Sequence, residues 1–198
     1  MKIAIVAAAV LALSGTVALA GETPPGHWDG FYAGVHAGAA SSPFYDYVYD
    51  GYYGGTATGL LAGGQVGFNR RLSGNVVVGL EGSASLDAIR GPGDQWDVTF
   101  SQGWEASLRA RLGYDLGKYL PYVMAGIAVT HAKAEWGGVD EHTVSGATFG
   151  VGVAMALGPR TFGYVEISHA DFGKQTWGYD AHLTENALRV GVNVRIGQ

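Results

Sequence analysis

Residues 188–196 read L-R-V-G-V-N-V-R-I, and the fold follows from how that stretch divides. Side chains of a strand alternate between two faces. Leu188, Val190, Val192, Val194 and Ile196 therefore share one face, while Arg189, Gly191, Asn193 and Arg195 share the other. A helix would scatter the aliphatics around its circumference, and the β-branched valines disfavour it further. The open question is which solvent the aliphatic face meets.

The same alternation recurs upstream. Phe31, Ala33, Val35 and Ala37 oppose Tyr32, Gly34, His36 and Gly38; Leu60, Ala62, Val66 and Phe68 lie across from Gln65, Gly67 and Asn69. Val76, Val78, Leu80, Ala84 and Leu86 oppose Gly79, Glu81, Ser83 and Ser85, and Trp104 to Leu112 opposes Glu105, Ser107, Arg109 and Arg111. Three further segments repeat the pattern: Val123 to Val129, Phe149 to Leu157, and Val165 to His169. Eight strands result. Short turn signals at 72–75, 114–120 and 158–160 alternate with longer stretches at 41–55, 87–97, 133–141 and 171–184. Turns at one end and loops at the other predict an all-β, eight-stranded antiparallel transmembrane β-barrel with short periplasmic turns and four longer extracellular loops.

Composition supports that choice over a soluble barrel. Of 198 residues, 33 are glycine and none is cysteine, which excludes a disulfide scaffold. Glycine-bearing faces make a poor surface for water but suit a narrow lumen that side chains must just fill. From the second strand on, the aliphatic faces carry no charge, as lipid contact requires. Lys2, the apolar run 3–13 and the ending Ala18-Leu19-Ala20 predict a secretory signal peptide over 1–20. A periplasmic lead over 21–27 and the barrel over 28–198 follow. Aromatic girdles are expected at both interfaces: Trp28, Phe31, Phe68, Tyr114, Tyr119 and Phe162 at one, Trp96, Phe100, Trp104, Trp136 and Phe172 at the other.

The candidate site is the lumen. Glu81, Glu105, Arg109, Arg111, Glu166, Arg189 and Arg195 fall on the inward faces, with His36, Gln65, Asn69 and Asn193 nearby. Buried charges persist when paired, so a salt-bridge plug is expected; a gate that passes small ions is the alternative. The long loops carry Asp46, Asp50, Asp87, Asp94, Asp97, Glu135, Asp140, Glu141, Asp171, Asp180 and Glu185 against Arg90, Lys133 and Lys174. Such a rim is either simply solvated or bridged by divalent cations to lipopolysaccharide. The first loop offers Tyr45, Tyr47, Tyr49, Tyr52 and Tyr53 as a ligand surface.

With these segments in hand, the chain resembles the small porin-like outer-membrane β-barrel proteins of alphaproteobacteria, the OmpA-like or opacity-type family. The resemblance rests on W-D-G-F-Y-A-G (28–34), G-G-Q-V-G-F-N (63–69), V-G-L-E-G (78–82), L-R-A-R-L-G-Y (108–114), L-P-Y-V-M-A-G (120–126), Y-V-E-I-S-H-A-D-F-G (164–173) and L-R-V-G-V-N-V (188–194). It implies a cell outer-membrane location, contact with outer-membrane lipid and lipopolysaccharide, and passage through the barrel-assembly machinery. It also implies an aromatic last residue, whereas this chain ends Ile196-Gly197-Gln198. Some family members bind haem or host surfaces, which keeps a haem or host ligand open for the tyrosines. Barrel lipid A deacylases use an H-x-S-N arrangement; here Ser168-His169-Ala170-Asp171 puts Asp where the nucleophile belongs, and Ser168 and His169 on opposite faces. The chain is therefore not expected to be an enzyme. No cofactor, metal-ligand spacing or nucleic-acid motif is read. An envelope-structural and surface-interaction role leads, a narrow porin follows, and a haem- or host-binding surface stands third.

Overall fold

The computed structural model describes residues 28–48, 51–92, 99–135, 139–176 and 180–197. Eight strands account for nearly all of them: β1 Gly30–Val48, β2 Gly51–Arg71, β3 Val76–Pro92, β4 Thr99–Tyr114, β5 Tyr119–Glu135, β6 Val139–Ala156, β7 Thr161–Thr176 and β8 Asp180–Ile196. Each pairs antiparallel with the next, and β8 returns to β1 through Phe31↔Ile196 to Tyr45↔His182, closing the barrel. Closure removes the unpaired edges that an open sheet would present. The expected signal peptide and lead over 1–27 lie outside the described residues.

The three tight turns fall where the sequence places them. Leu72 N–H donates to Val76 O at 2.8 Å, Leu116 N–H to Tyr119 O at 2.9 Å, and Leu157 N–H to Thr161 O at 2.9 Å. Gly74 and Gly117 supply the positive φ that the first two require (+74° and +78°). At the opposite end, much of the length expected as loop is strand. The β1–β2 ladder runs to Val48↔Gly51 and the β5–β6 ladder to Glu135↔Val139. The apolar alternation stops there, but the backbone pairing does not, because ladder hydrogen bonds need no particular side chain.

The outward face is an apolar belt. Phe31, Val35, Leu60, Val66, Leu80, Leu86, Leu108, Val123, Ile127, Val151 and Val192 are all exposed. Above it the same face turns polar: Thr58, Thr143, Ser145 and Asn186 are exposed or partly so. The expected girdles need correcting. Phe31, Tyr114 and Tyr119 do face outward, and Trp104 stacks on His131 with centroids 6.2 Å apart. Trp28, Phe162 and Phe172, however, are only 1–3% exposed and fill the interior. Phe162 shares its strand parity with Tyr164 and Glu166, so it belongs inside on the same rule that placed them there. Trp96 and Trp136 and the side chain of Phe100 lie outside the described residues.

Candidate functional site

The lumen is layered. Near the tight turns, Trp28, Tyr32, Val77, Leu120, Tyr122, Ala154, Phe162 and Tyr164 form one apolar layer. Phe162 sits edge-on to both Trp28 and Tyr32, with centroids 5.6 and 5.3 Å away. Toward the far end, Leu61, Ile89, Val144, Phe172 and Leu183 pack with alanines into a second. The charges lie between and among these layers.

The larger charge cluster is built on β3, β4 and β7. Arg109 donates to Glu81 at 2.6 Å and to Glu166 at 2.8 Å, and Arg111 donates to the second oxygen of Glu81 at 2.7 Å. Tyr32 Oη donates to Glu81 at 2.7 Å while accepting from Arg111 at 2.8 Å. Tyr122 Oη donates to Glu166 at 2.9 Å, and the Arg111 guanidinium stands 3.8 Å from the Tyr122 ring centroid. Two carboxylates against two guanidiniums balance in charge. The hydroxyls and the cation–π contact satisfy most of the remaining valences, which is what keeps buried ions tolerable.

The second cluster centres on Arg189. It donates to Ser168 Oγ at 2.5 Å and to Glu105 at 2.8 Å, with Glu185 at 3.7 Å. Glu166 stands opposite Arg189 in the β7–β8 register, yet its carboxylate bonds Arg109 on β4. A neutral relay runs beside both clusters. Gln65 Oε1 can only accept, so His36 Nδ1 donates to it at 2.6 Å, leaving Nε2 to accept from Ser85 at 2.8 Å. Gln65 then donates to Asn193 at 2.7 Å.

Six of the seven expected charges thus sit in these two clusters. Arg195 stands apart at the rim, donating to the backbone carbonyls of Asp29 (3.3 Å) and Pro159 (2.8 Å). The reason is its place on β8: one step before Ile196 ends the strand, it reaches the turns rather than the middle of the tube. Asp87 and Glu185 also depart from expectation. The sequence places both in loops, but both are buried on strands and face inward. Asp87 keeps the parity of Glu81, Ser83 and Ser85, and Glu185 that of Arg189, so the signal was present. Neither Asp87 oxygen has a hydrogen-bond partner among the described residues.

Two features escaped sequence reading altogether. Trp28 Nε1 donates to Asp115 at 3.1 Å and to Gly117 O at 3.2 Å, and Asp115 forms an ion pair with Arg71, so the start of the barrel is pinned to two turns. Inside, tyrosines lie over glycines: a Cβ on Gly67, Gly152 or Gly191 would come within 2.3–2.5 Å of the rings of Tyr32, Tyr122 and Tyr164. Ser168 points into the lumen toward Arg189, whereas His169 faces outward against Phe149 and Asn186. Of the candidate tyrosines, Tyr49 and the side chains of Tyr45, Tyr47, Tyr52 and Tyr53 lie outside the described residues.

Comparison with known proteins gives a consistent family. The model of the outer membrane protein beta-barrel domain matches residues 5–195. The 25 kDa outer-membrane immunogenic protein of Brucella abortus is 34% identical over 140 residues, 68% of this chain and 64% of that protein. The chain therefore spans somewhat under two thirds of that relative's length. The 22 kDa outer membrane protein of Rhizobium leguminosarum is 31% identical over 87% of this chain and 80% of its own. Among solved structures, OprG from Pseudomonas aeruginosa aligns with a TM-score of 0.53 at 12% identity, covering 87% of this chain and 98% of that one. Neisserial surface protein A aligns at 0.50 with 19% identity, covering 84% and 97%. These two likenesses speak to the fold alone.

Proposed function

The chain belongs to the outer membrane protein beta-barrel domain family, and from that premise we propose that it is a closed barrel of envelope-structural role that meets its surroundings through its extracellular hairpins. One observation carries the reading. The Arg109–Glu81–Glu166 and Arg189–Glu105 pairs lie across a lumen that apolar side chains fill at both ends. An eight-stranded interior is only wide enough to be filled by side chains, and ion pairs sealed in this way leave no water column. The acidic hairpins then supply the contact surface, with divalent cations joining their carboxylates to lipopolysaccharide phosphates.

Planar-bilayer recording of the purified protein tests this. The expected result is an unbroken baseline over the voltage range in which the bilayer is stable. Discrete conductance steps from the wild-type protein would favour the second reading, a narrow pore. That reading has one observation behind it: Asp87, Glu105 and Glu185 outnumber Arg189 in the outer lumen, which would favour cations in any open state. Loss of lipopolysaccharide co-purification on chelation would support the cation bridge, and retention would dismiss it.

A further inference from the structure

The two charge clusters of the lumen are not built alike. In the inner one, Glu81 and Glu166 meet Arg109 and Arg111, two acids against two bases. In the outer one, Glu105, Glu185 and Asp87 stand around Arg189. The groups that face this outer cluster come from every side of the ring. His36 on β1 is held neutral by Gln65 and Ser85. Asp87 comes from β3, Glu105 from β4, and Glu185 with Arg189 from β8. Glu166 on β7 is engaged by Arg109. Among the described residues, the remaining strands β2, β5 and β6 present Leu61, Thr130 and Val144 at this level, none of which titrates.

Glu105 and Glu185 also hydrogen-bond each other. An ionised carboxylate only accepts hydrogen bonds, so a bond between two carboxyl groups requires a proton on one of them. Arg189 decides which. It donates to Glu105 at 2.8 Å and stands 3.7 Å from Glu185, so Glu105 is the carboxylate and Glu185 the acid that donates to it. Glu185 lies between Leu183 and Ala187 on the inward face of β8, within the outer apolar layer.

We propose that Glu105 and Glu185 share one proton in the folded barrel, and that this acid–carboxylate pair latches the outer lumen. As pH rises, the Glu185 proton passes to water. Two adjacent carboxylates then repel across one guanidinium, and ionised Glu185 no longer belongs in an apolar layer. It turns toward the hairpin end, loosens Leu183 beside it and admits water. The balanced inner cluster stays shut, so the latch opens a vestibule and not a through-channel. The proposal rests on the closed-lumen reading above and adds a regulation of its outer half. The folded barrel keeps a proton that the unfolded chain has released at neutral pH, so stability falls as pH rises and that proton leaves.

Infrared difference spectroscopy of the full-length protein, in a detergent free of carbonyl groups, reads the proton directly. Wild type is expected to show a protonated-carboxyl band at neutral pH that disappears on alkaline titration. Asp87→Asn should keep the band. Glu185→Gln, whose amide donates to Glu105 at every pH, should lose it. Opening is read with a single cysteine, since the chain has none of its own. Val144→Cys places a thiol in the outer apolar layer. Between mildly acidic and alkaline buffer, its modification by a charged methanethiosulfonate should accelerate about ten-fold more than in Val144→Cys/Glu185→Gln, the comparison that cancels thiol ionisation. A wild type without the band overturns the shared proton, and so does a band that Asp87→Asn abolishes; neither result needs Glu185→Gln to fold. Equal acceleration in the two cysteine variants overturns the latch. Conductance steps from wild type at neutral pH would overturn the closed lumen instead, and would leave the band in place.

Discussion

Arg189 on β8 bonds Glu105 on β4 at 2.8 Å, and those strands stand diametrically opposite in the ring of eight. The pair therefore ties the two halves of the wall together through the middle, a constraint that no backbone ladder supplies. Removing one partner of such a buried pair leaves the other uncompensated, at a cost of about 3–5 kcal/mol. Arg189→Met should lower the urea midpoint of the detergent-folded protein by a corresponding amount. Arg189→Met/Glu105→Leu should recover much of the loss, because no buried charge is then stranded. A double variant no better than the single would mean that the pair is not the unit.

Arg109 holds Glu81 and Glu166 at once. Arg109→Gln should strip one oxygen of each carboxylate of its partner, leaving Glu81 to Arg111 and Tyr32 and Glu166 to Tyr122, and let water into the central lumen. Discrete conductance steps in a planar bilayer, absent from wild type, are the expected signature. An unchanged baseline together with an unchanged urea midpoint would show that Arg109 is dispensable to closure.

Asp87 is buried beside Glu105 and Glu185, which share the Arg189 guanidinium, and its oxygens find no hydrogen-bond donor among the described residues. An unpaired buried charge costs stability, so Asp87→Asn should raise the unfolding free energy at neutral pH by about 1–3 kcal/mol, read as a higher urea midpoint. Asp87→Asn should also narrow the difference in stability between neutral and mildly acidic buffer, since one fewer carboxylate remains to be neutralised. A lower midpoint would mean that Asp87 is held by a partner in the folded protein.

Gly67 sets the position of Tyr32. A Cβ there would fall 2.3 Å from the tyrosine ring, so Gly67→Val must push the ring off and break its bonds to Glu81 and Arg111. A loss of about 1–3 kcal/mol is expected from overpacking. Tyr32→Phe keeps the ring and removes only the hydroxyl, and should cost nearer 1 kcal/mol. Equal losses in the two variants would mean that the hydroxyl matters and the ring position does not.

The outward belt is tested by charge. Leu108→Arg, in mid-belt on β4, should cost about 2–4 kcal/mol when the protein is folded into vesicles. Thr143→Arg, on the polar band above, should cost about 0–1 kcal/mol. Equal costs would mean that the belt does not meet acyl chains.

Face assignment was legible in the sequence because period-two alternation is a local property that holds through the apolar belt; the register shifts at Leu86/Ile89, Gln102/Trp104 and Asp171/Lys174 interrupt it toward the far end. The strand count was legible for the same reason, and the tight turns from their own local residue signals. Partner choice was not. Glu81 and Arg109 are register neighbours and could have been paired by hairpin logic, but Arg189 reaching Glu105 depends on closure and tilt, which no local pattern encodes. Asp87 and Glu185 were misplaced because the apolar half of the alternation fades before the ladder does. Trp28 and Phe162 lie inside although they stand beside turns: nearness to a turn says nothing about which face a ring takes, and Phe162 follows the inward parity of Tyr164 and Glu166.

The ladder between β1 and β2 stays in register from Gly30↔Asn69 to Val48↔Gly51, well past the last aliphatic of the belt near Leu60. At about 3.3 Å per residue, the rungs beyond Ala39 climb roughly 30 Å along the strand. They bring their own backbone partners with them, so rungs can be added or dropped at the tip without disturbing anything sealed beneath. Length and chemistry at the cell's outermost surface are in this way uncoupled from the interior below. A foreign epitope spliced in beyond Val48 would be carried by a backbone-paired ribbon clear of the bilayer.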